Sequence, residues 1–199
     1  MKLTQRLLLW LGIAVITFGL VGCNAVFGSN QYSVKRVSDG GTIQYSVKRV
    51  SDGDTIAVAD ARGADIKVRF ACVDSPEIPH STKERESKKA VDRDQFKWGV
   101  KAKDRVKQLV DQGGDRVTLN ITDSDRYGRK VSEVRLGDGT LLQEVLAREG
   151  LALVYRPYLK NCPSAAVVEQ AEAEAKKQQR GVWSDSKFVE PWEYRSRNR

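Results

Sequence analysis

Two carboxylates three positions apart, in Asp74-Ser75-Pro76-Glu77, close an apolar and basic run from Ile66 to Val73. Upstream lies Ser51-Asp52-Gly53-Asp54-Thr55, and downstream lies Asp123-Ser124-Asp125-Arg126-Tyr127-Gly128-Arg129. Acidic clusters and isolated arginines therefore recur where strands give way to loops. Carboxylates are hard oxygen donors suited to a hard cation, and a carboxylate beside a cation-held phosphate can also take a proton from water. Guanidinium forks match phosphoryl oxygens and stabilise charge that builds on them. Asp54, Asp74, Glu77, Arg69 and Arg129 together suit a metal-assisted attack on a phosphodiester.

At these residues the sequence resembles the staphylococcal nuclease (thermonuclease) family, whose hallmarks are a D-G-D-T turn, an R-x-x-x-x-D-[TS]-P-E strand end and a Y-G-R loop. All three occur in the family's order, at Asp52 to Thr55, Arg69 to Glu77 and Tyr127 to Arg129. The resemblance implies one Ca²⁺ ion on Asp54 and Asp74, helped by the backbone carbonyl of Ser75. It implies that Glu77 orients or deprotonates the attacking water, and that Arg69 and Arg129 contact the phosphate. Tyr127 and Tyr155 are candidates to stack on or bond to the nucleotide, Tyr155 matching a family tyrosine. Leu153 stands where the family carries a companion tyrosine, which bears on the binding pocket and not on the catalytic set. The implied activity is hydrolysis of DNA and RNA with little base specificity, the 5′-oxygen leaving. The rival reading is a catalytically silent nucleic-acid-binding module, which would not need this acidic cluster.

Other residues have plainer roles. Asp52 reads as an ordinary Asp-Gly turn residue, His80 as a solvated histidine in a charged loop, and Trp183 as core. Arg69 and Asp74 are five residues apart, an odd offset that puts them on opposite faces of a regular strand. A bulge or bend is therefore expected between them.

The elements that must position these groups follow from periodicity. Tyr45 to Val50, Thr55 to Ala59 and Ile66 to Val73 read as a three-strand meander, and Arg116 to Thr122 and Lys130 to Leu136 as two further strands. Pro76 to Asp92 is polar and charged and reads as a mobile surface loop. Phe96, Val100, Val106, Leu109 and Val110 mark a helix face that ends at Gly113-Gly114. Thr140 to Gln143 resembles a capping box opening a short helix that stops at Gly150. A last helix spans about Ser164 to Arg180, with glutamates early and cations late. This order matches the family's α+β architecture, a five-stranded OB-fold Greek-key β-barrel with three helices. Barrel closure comes from the resemblance alone.

Residues 31–43 recur as 44–56 with one change, Gly41 to Asp54. Only the second copy carries the complete turn, so Gln44 to Val50 is expected to be the first strand and 31–43 an extra segment. Ahead of it, Lys2 and Arg6 precede an apolar run from Leu7 to Val21 that ends in Leu20-Val21-Gly22-Cys23. This pattern suits a secretory leader with a bacterial lipobox, whose cysteine would be acylated. The expected organisation is a lipoprotein signal peptide at 1–22, an anchor linker at 23–43, the domain at 44–192 and a basic tail at 193–199. The protein is then extracytoplasmic, tethered to a membrane through Cys23 or secreted, and monomeric. Its net charge of +8 and pI of 9.4 favour polyanions or acidic surfaces. In an oxidising compartment Cys72 and Cys162 are expected to pair; the alternative is a buried free thiol at Cys72 and an incidental loop thiol at Cys162. Zinc is disfavoured, since the cysteines and the single histidine have no ligand spacing.

Overall fold

The computed structural model describes residues 43–198. The expected leader, the lipidation site at Cys23 and the first copy of the repeat up to residue 42 lie outside them. No helix among the described residues is long and apolar enough to cross a membrane.

Strand β1 (Gln44–Val50) is formed by the second copy of the repeat. It pairs antiparallel with β2 (Thr55–Ala59), which pairs antiparallel with β3 (Asp65–Phe70). Alternation within β3 sends Val68 and Phe70 into the core and leaves Arg69 on the other face. The chain then breaks at Ala71 and Cys72, where Cys72 adopts φ +73°, a left-handed conformation uncommon outside glycine. It resumes as β4 (Val73–Asp74). The expected run from Ile66 to Val73 is thus two strands, and the break supplies the bend between Arg69 and Asp74.

Helix α1 (Thr82–Arg85) is one turn, closed by a capping box in which Ser81 and Glu84 satisfy each other's backbone N–H groups. The segment expected to be a continuous loop therefore contains a capped turn, and it ends earlier than expected because α2 (Ala90–Gln112) starts at Ala90. Its buried face comprises Gln95, Trp98, Gly99, Ala102, Val106, Leu109 and Val110. Val100, expected on that face, is 41 % exposed: Trp98, Ala102 and Val106 define the apolar stripe, and Val100 lies off it.

Strands β5 (Arg116–Ser124) and β6 (Lys130–Leu136) complete the barrel in the order β1-β2-β3-β6-β5, with β5 returning to β1. The β3–β6 pair is parallel and sets Arg69 opposite Val131, beside the loop that carries Arg129. Helix α3 (Leu142–Arg148) has no side-chain cap. Gln143, expected to close a capping box with Thr140, is instead buried, accepting from Val134 N at 3.2 Å and donating to Ser132 O at 2.8 Å. Among the described residues, those buried strand N–H and C=O groups have no other side-chain partner, and they take the amide that a capping box would have used.

Short β7 (Leu153–Val154) pairs with β4, and a 3-10 turn follows over Arg156–Asn161. Helix α4 (Ala165–Lys177) buries Val168, Ala171 and Ala175. The three helices expected from the sequence are α2, α3 and α4. Helix α5 (Pro191–Arg197) occupies most of what reads from composition as a tail. Pro191 and Tyr194 are buried, so this end of the chain is part of the domain.

Candidate active site

Three backbone devices converge at one end of the barrel. In the β1–β2 turn, Asp52 Oδ1 accepts from Asp54 N at 3.0 Å. A Cβ on the intervening Gly53 would lie 2.5 Å from Ala102 Cβ and 2.8 Å from Ser75 Cβ. Only glycine seats this turn against α2 and Ser75. The bend at Cys72 then swings β4 back, and Phe70 N donates to Asp54 O at 2.7 Å. The third device is Gly99, where a Cβ would meet Glu77 O at 2.0 Å. Helix α2 therefore lies directly against the Glu77 backbone.

These devices bring Asp54, Arg69 and Asp74 together. Arg69 Nη1 donates to Asp54 Oδ1 at 3.0 Å and Nη2 to Asp74 Oδ1 at 2.6 Å. One guanidinium thus spans both buried aspartates, the forked geometry that lysine lacks. Asp54 Oδ1 also accepts from Thr55 Oγ1 at 3.0 Å, and Oδ2 accepts from Ser75 N at 2.9 Å. Ser75 is buried beside the pair, its N–H bound to Asp54.

Burial opposes charge on Asp54, but Arg69, the Ser75 N–H and the Thr55 hydroxyl hold its carboxyl below the ordinary range. Burial first, and the negative charge of Asp54 second, push Asp52 up to about 7. The same two causes raise Asp74, against the pull of Arg69 and of Arg195, which donates to it from the C-terminal segment. The opposing charge of Asp54 also raises Arg69. The side-chain donors of this acidic group, Asp52, Asp54 and Asp74, are all oxygens. A hard divalent cation fits that donor set.

Glu77 stands at the edge of the same cleft, which encloses about 650 Å³ and is also lined by Arg129, Tyr127 and Tyr155. Arg129 is oriented by Asp125, which accepts from Arg129 Nε at 2.7 Å and from its backbone N at 2.9 Å. Among the described residues, neither Nη atom of Arg129 has a hydrogen-bond partner. Tyr127 is 69 % exposed and lies between Arg126 and Arg129, whose guanidinium carbons are 4.9 and 5.7 Å from its ring centroid. Tyr155 stacks on Tyr158 at 5.6 Å and meets Trp192 at 5.5 Å. Leu153, at the family's other tyrosine position, is buried in β7 and contributes no ring to the cleft. His80 is exposed on the loop before α1, and Trp183 is half-buried against the core.

Cys72 and Cys162 form a disulfide, with Cα atoms 5.4 Å apart. It ties the bend before Asp74 to the loop after the aromatic cluster. Sequence reasoning missed Arg195, which donates to Asp74 and Glu77, Gln95, which accepts from Glu77 N, and Tyr158, which stacks on Tyr155. The only signal for Arg195 was its setting: Pro191-Trp192-Glu193-Tyr194 can start a helix with two aromatic residues to dock.

A closed five-stranded barrel with helices packed around it, and an acidic cleft flanked by arginines, defines an OB-fold domain of the α+β class. The chain belongs to the staphylococcal nuclease homologue family, which matches it over residues 67–185. It is 36 % identical over 164 residues to an uncharacterized endonuclease of Escherichia coli O157:H7, covering 82 % of this chain and 84 % of that one. It is 31 % identical over 187 residues to the thermonuclease of Staphylococcus intermedius, covering 90 % and 96 %. A micrococcal nuclease of Shigella flexneri is 32 % identical over 138 residues, covering 65 % and 68 %.

Proposed function

We propose that this protein is a calcium-dependent nuclease that hydrolyses DNA and RNA with low sequence specificity, releasing the 5′-oxygen. The observation that carries the reading is the Arg69 fork across Asp54 and Asp74, with Glu77 and Arg129 on the same cleft. A binding module needs no such buried acidic group. The endonuclease and thermonuclease names of the relatives support the same reading.

Asp54 and Asp74, with the Ser75 carbonyl, would hold the ion. When bound there, calcium supplies a Lewis-acid contact to a phosphate oxygen. Glu77 takes the proton of the attacking water, a role that needs no histidine. Arg129 presents its Nη atoms to the phosphate, and Arg69 keeps the two aspartates together while adding positive charge beside the developing oxyanion. Tyr127 and Tyr155 stack on the flanking nucleotides, the tyrosine rings giving affinity without base selection. The monomer is sufficient for this chemistry, since every named group comes from one chain. Acylation at Cys23 would hold the domain at a membrane outside the cytoplasm, a placement that the Cys72–Cys162 disulfide favours.

The test is digestion of single-stranded DNA, double-stranded DNA and RNA by the full-length chain, with Ca²⁺ or with chelator. Cutting in Ca²⁺ alone, leaving 5′-hydroxyl and 3′-phosphate ends, is expected. Undiminished cutting in chelator rejects the metal, and retention of nucleic acid without cutting leaves the silent binding module.

A further inference from the structure

The C-terminal segment lies beyond the family-matched span, which ends at residue 185. It nevertheless enters the cleft. Arg195, on α5, donates from Nη1 to Glu77 Oε1 at 2.6 Å and to Asp74 Oδ1 at 3.3 Å, and from Nη2 to Asp74 Oδ2 at 2.5 Å. Its guanidinium therefore joins the aspartate expected to hold the cation to the glutamate expected to take the proton.

The helix that delivers it is docked by specific contacts. Tyr194 Oη donates to Asp92 Oδ1 at 3.0 Å, and the Tyr194 ring meets Phe96 edge-on at 6.3 Å. Gln95 reaches both partners at once: its Oε1 accepts from Glu77 N at 3.2 Å, and its Nε2 donates to Val189 O. One fully buried α2 side chain thus locks the Glu77 backbone to the chain leading into α5.

We propose that Arg195 is a positioning residue of the nuclease site, and that the C-terminal helix completes that site; this rests on the function proposed above. A glutamate side chain has several rotatable bonds, and Glu77 follows an irregular Pro76 segment. The Arg195 contact fixes Oε1, while Oε2 accepts no hydrogen bond among the described residues and is left for water. The same guanidinium occupies both oxygens of Asp74, so its positive charge opposes a cation there. Removing it has two effects of opposite sign: turnover falls as Glu77 loses its orientation, and cation affinity rises as Asp74 is freed. Loosened packing alone would weaken both.

The experiment compares full-length wild type, Arg195→Gln and Arg195→Lys by steady-state kinetics on single-stranded DNA and by calorimetric Ca²⁺ titration without substrate. Arg195→Gln is expected to lower kcat about tenfold or more with KM within about twofold, while Ca²⁺ binds several-fold tighter. Arg195→Lys, which keeps the charge, should restore the wild-type Ca²⁺ affinity and part of kcat. Unchanged kcat in Arg195→Gln, or a loss of Ca²⁺ affinity in parallel with kcat, overturns the inference. If the glutamine variant does not fold, a lysine variant with full wild-type kcat overturns it. An active wild type indifferent to both substitutions rejects only Arg195, whereas a wild type that neither cuts nor binds Ca²⁺ rejects the nuclease reading and this inference with it.

Discussion

Arg69 and Arg129 are both half-buried at the cleft, yet they are held in different ways. Arg69 spends its fork on two buried aspartates, whereas Arg129 is anchored through Nε by Asp125 in a loop and keeps its Nη atoms for the cleft. A lysine at 69 can satisfy one aspartate and leaves the other without its partner, a costly state for a buried carboxylate. Arg69→Lys is therefore expected to lose about a hundredfold in kcat and also to melt at a lower temperature. Arg129→Lys should lose turnover to a similar extent with an unchanged melting temperature. Paired thermal melts and initial rates check this contrast, and near-normal rates in both variants would return these arginines to a purely structural role. Asp54, Asp74, Glu77, Arg69 and Arg129 were readable as candidates from residue type and motif order. Asp52 reads as a turn former, and its bond to Asp54 N fits that role, but its partial burial next to Asp54 is not visible in the spacing.

At the scale of elements, the site depends on how β4 and β7 are fastened to each other. The Cys72–Cys162 bridge joins positions 90 residues apart on either side of that pair. In the chain-entropy limit, closing a loop of that size stabilises the fold by about 4.6 kcal/mol. A Cys72→Ser, Cys162→Ser double variant should accordingly unfold at markedly lower denaturant concentration, which equilibrium unfolding monitored by fluorescence would detect. Helix α4 adds a second fastening. Glu172 accepts from Val154 N, Arg156 and Lys176, each at 2.8 Å. Burial resists charge on Glu172, but Lys176, Arg156 and the Val154 N–H together hold its carboxyl below the ordinary 4.5. Because the folded pKa is depressed, this contribution is complete above pH 4.5 and declines as pH falls toward the folded value. Glu172→Gln should lower stability at neutral pH and flatten the loss on acidification, as read from urea midpoints across that range. An acid limb identical to wild type would show that Glu172 does not carry it.

For the whole molecule, the duplicated segment poses a question that the barrel answers in part. Strand β1 is built from the second copy, which runs directly into the turn bearing Asp54. The first copy has Gly41 at the equivalent position and would bring no carboxylate. Deleting residues 31–43 is expected to leave the melting temperature and specific activity unchanged. A rise in specific activity on deletion would instead reveal exchange of the two copies in the first strand, since the strand could then form without the acidic turn.

The sequence by itself determined the local chemistry and the local geometry. Alternation marked the barrel strands, Asp-Gly marked the turn that presents Asp54, and the odd spacing of Arg69 and Asp74 required a bend that Cys72 provides. These features are legible because each depends on neighbours in the chain. Tertiary structure alone decided the rest. Val100 and Gln143 were misread because periodicity and cap patterns describe an isolated helix, while burial and unsatisfied strand groups are set by what packs against it. Arg195 stood among other cations near the chain end, more than a hundred residues from Asp74 and Glu77. Only the docking of α5 on α2, through Tyr194 and the Gln95 bridge, carries its guanidinium to two carboxylates that need it.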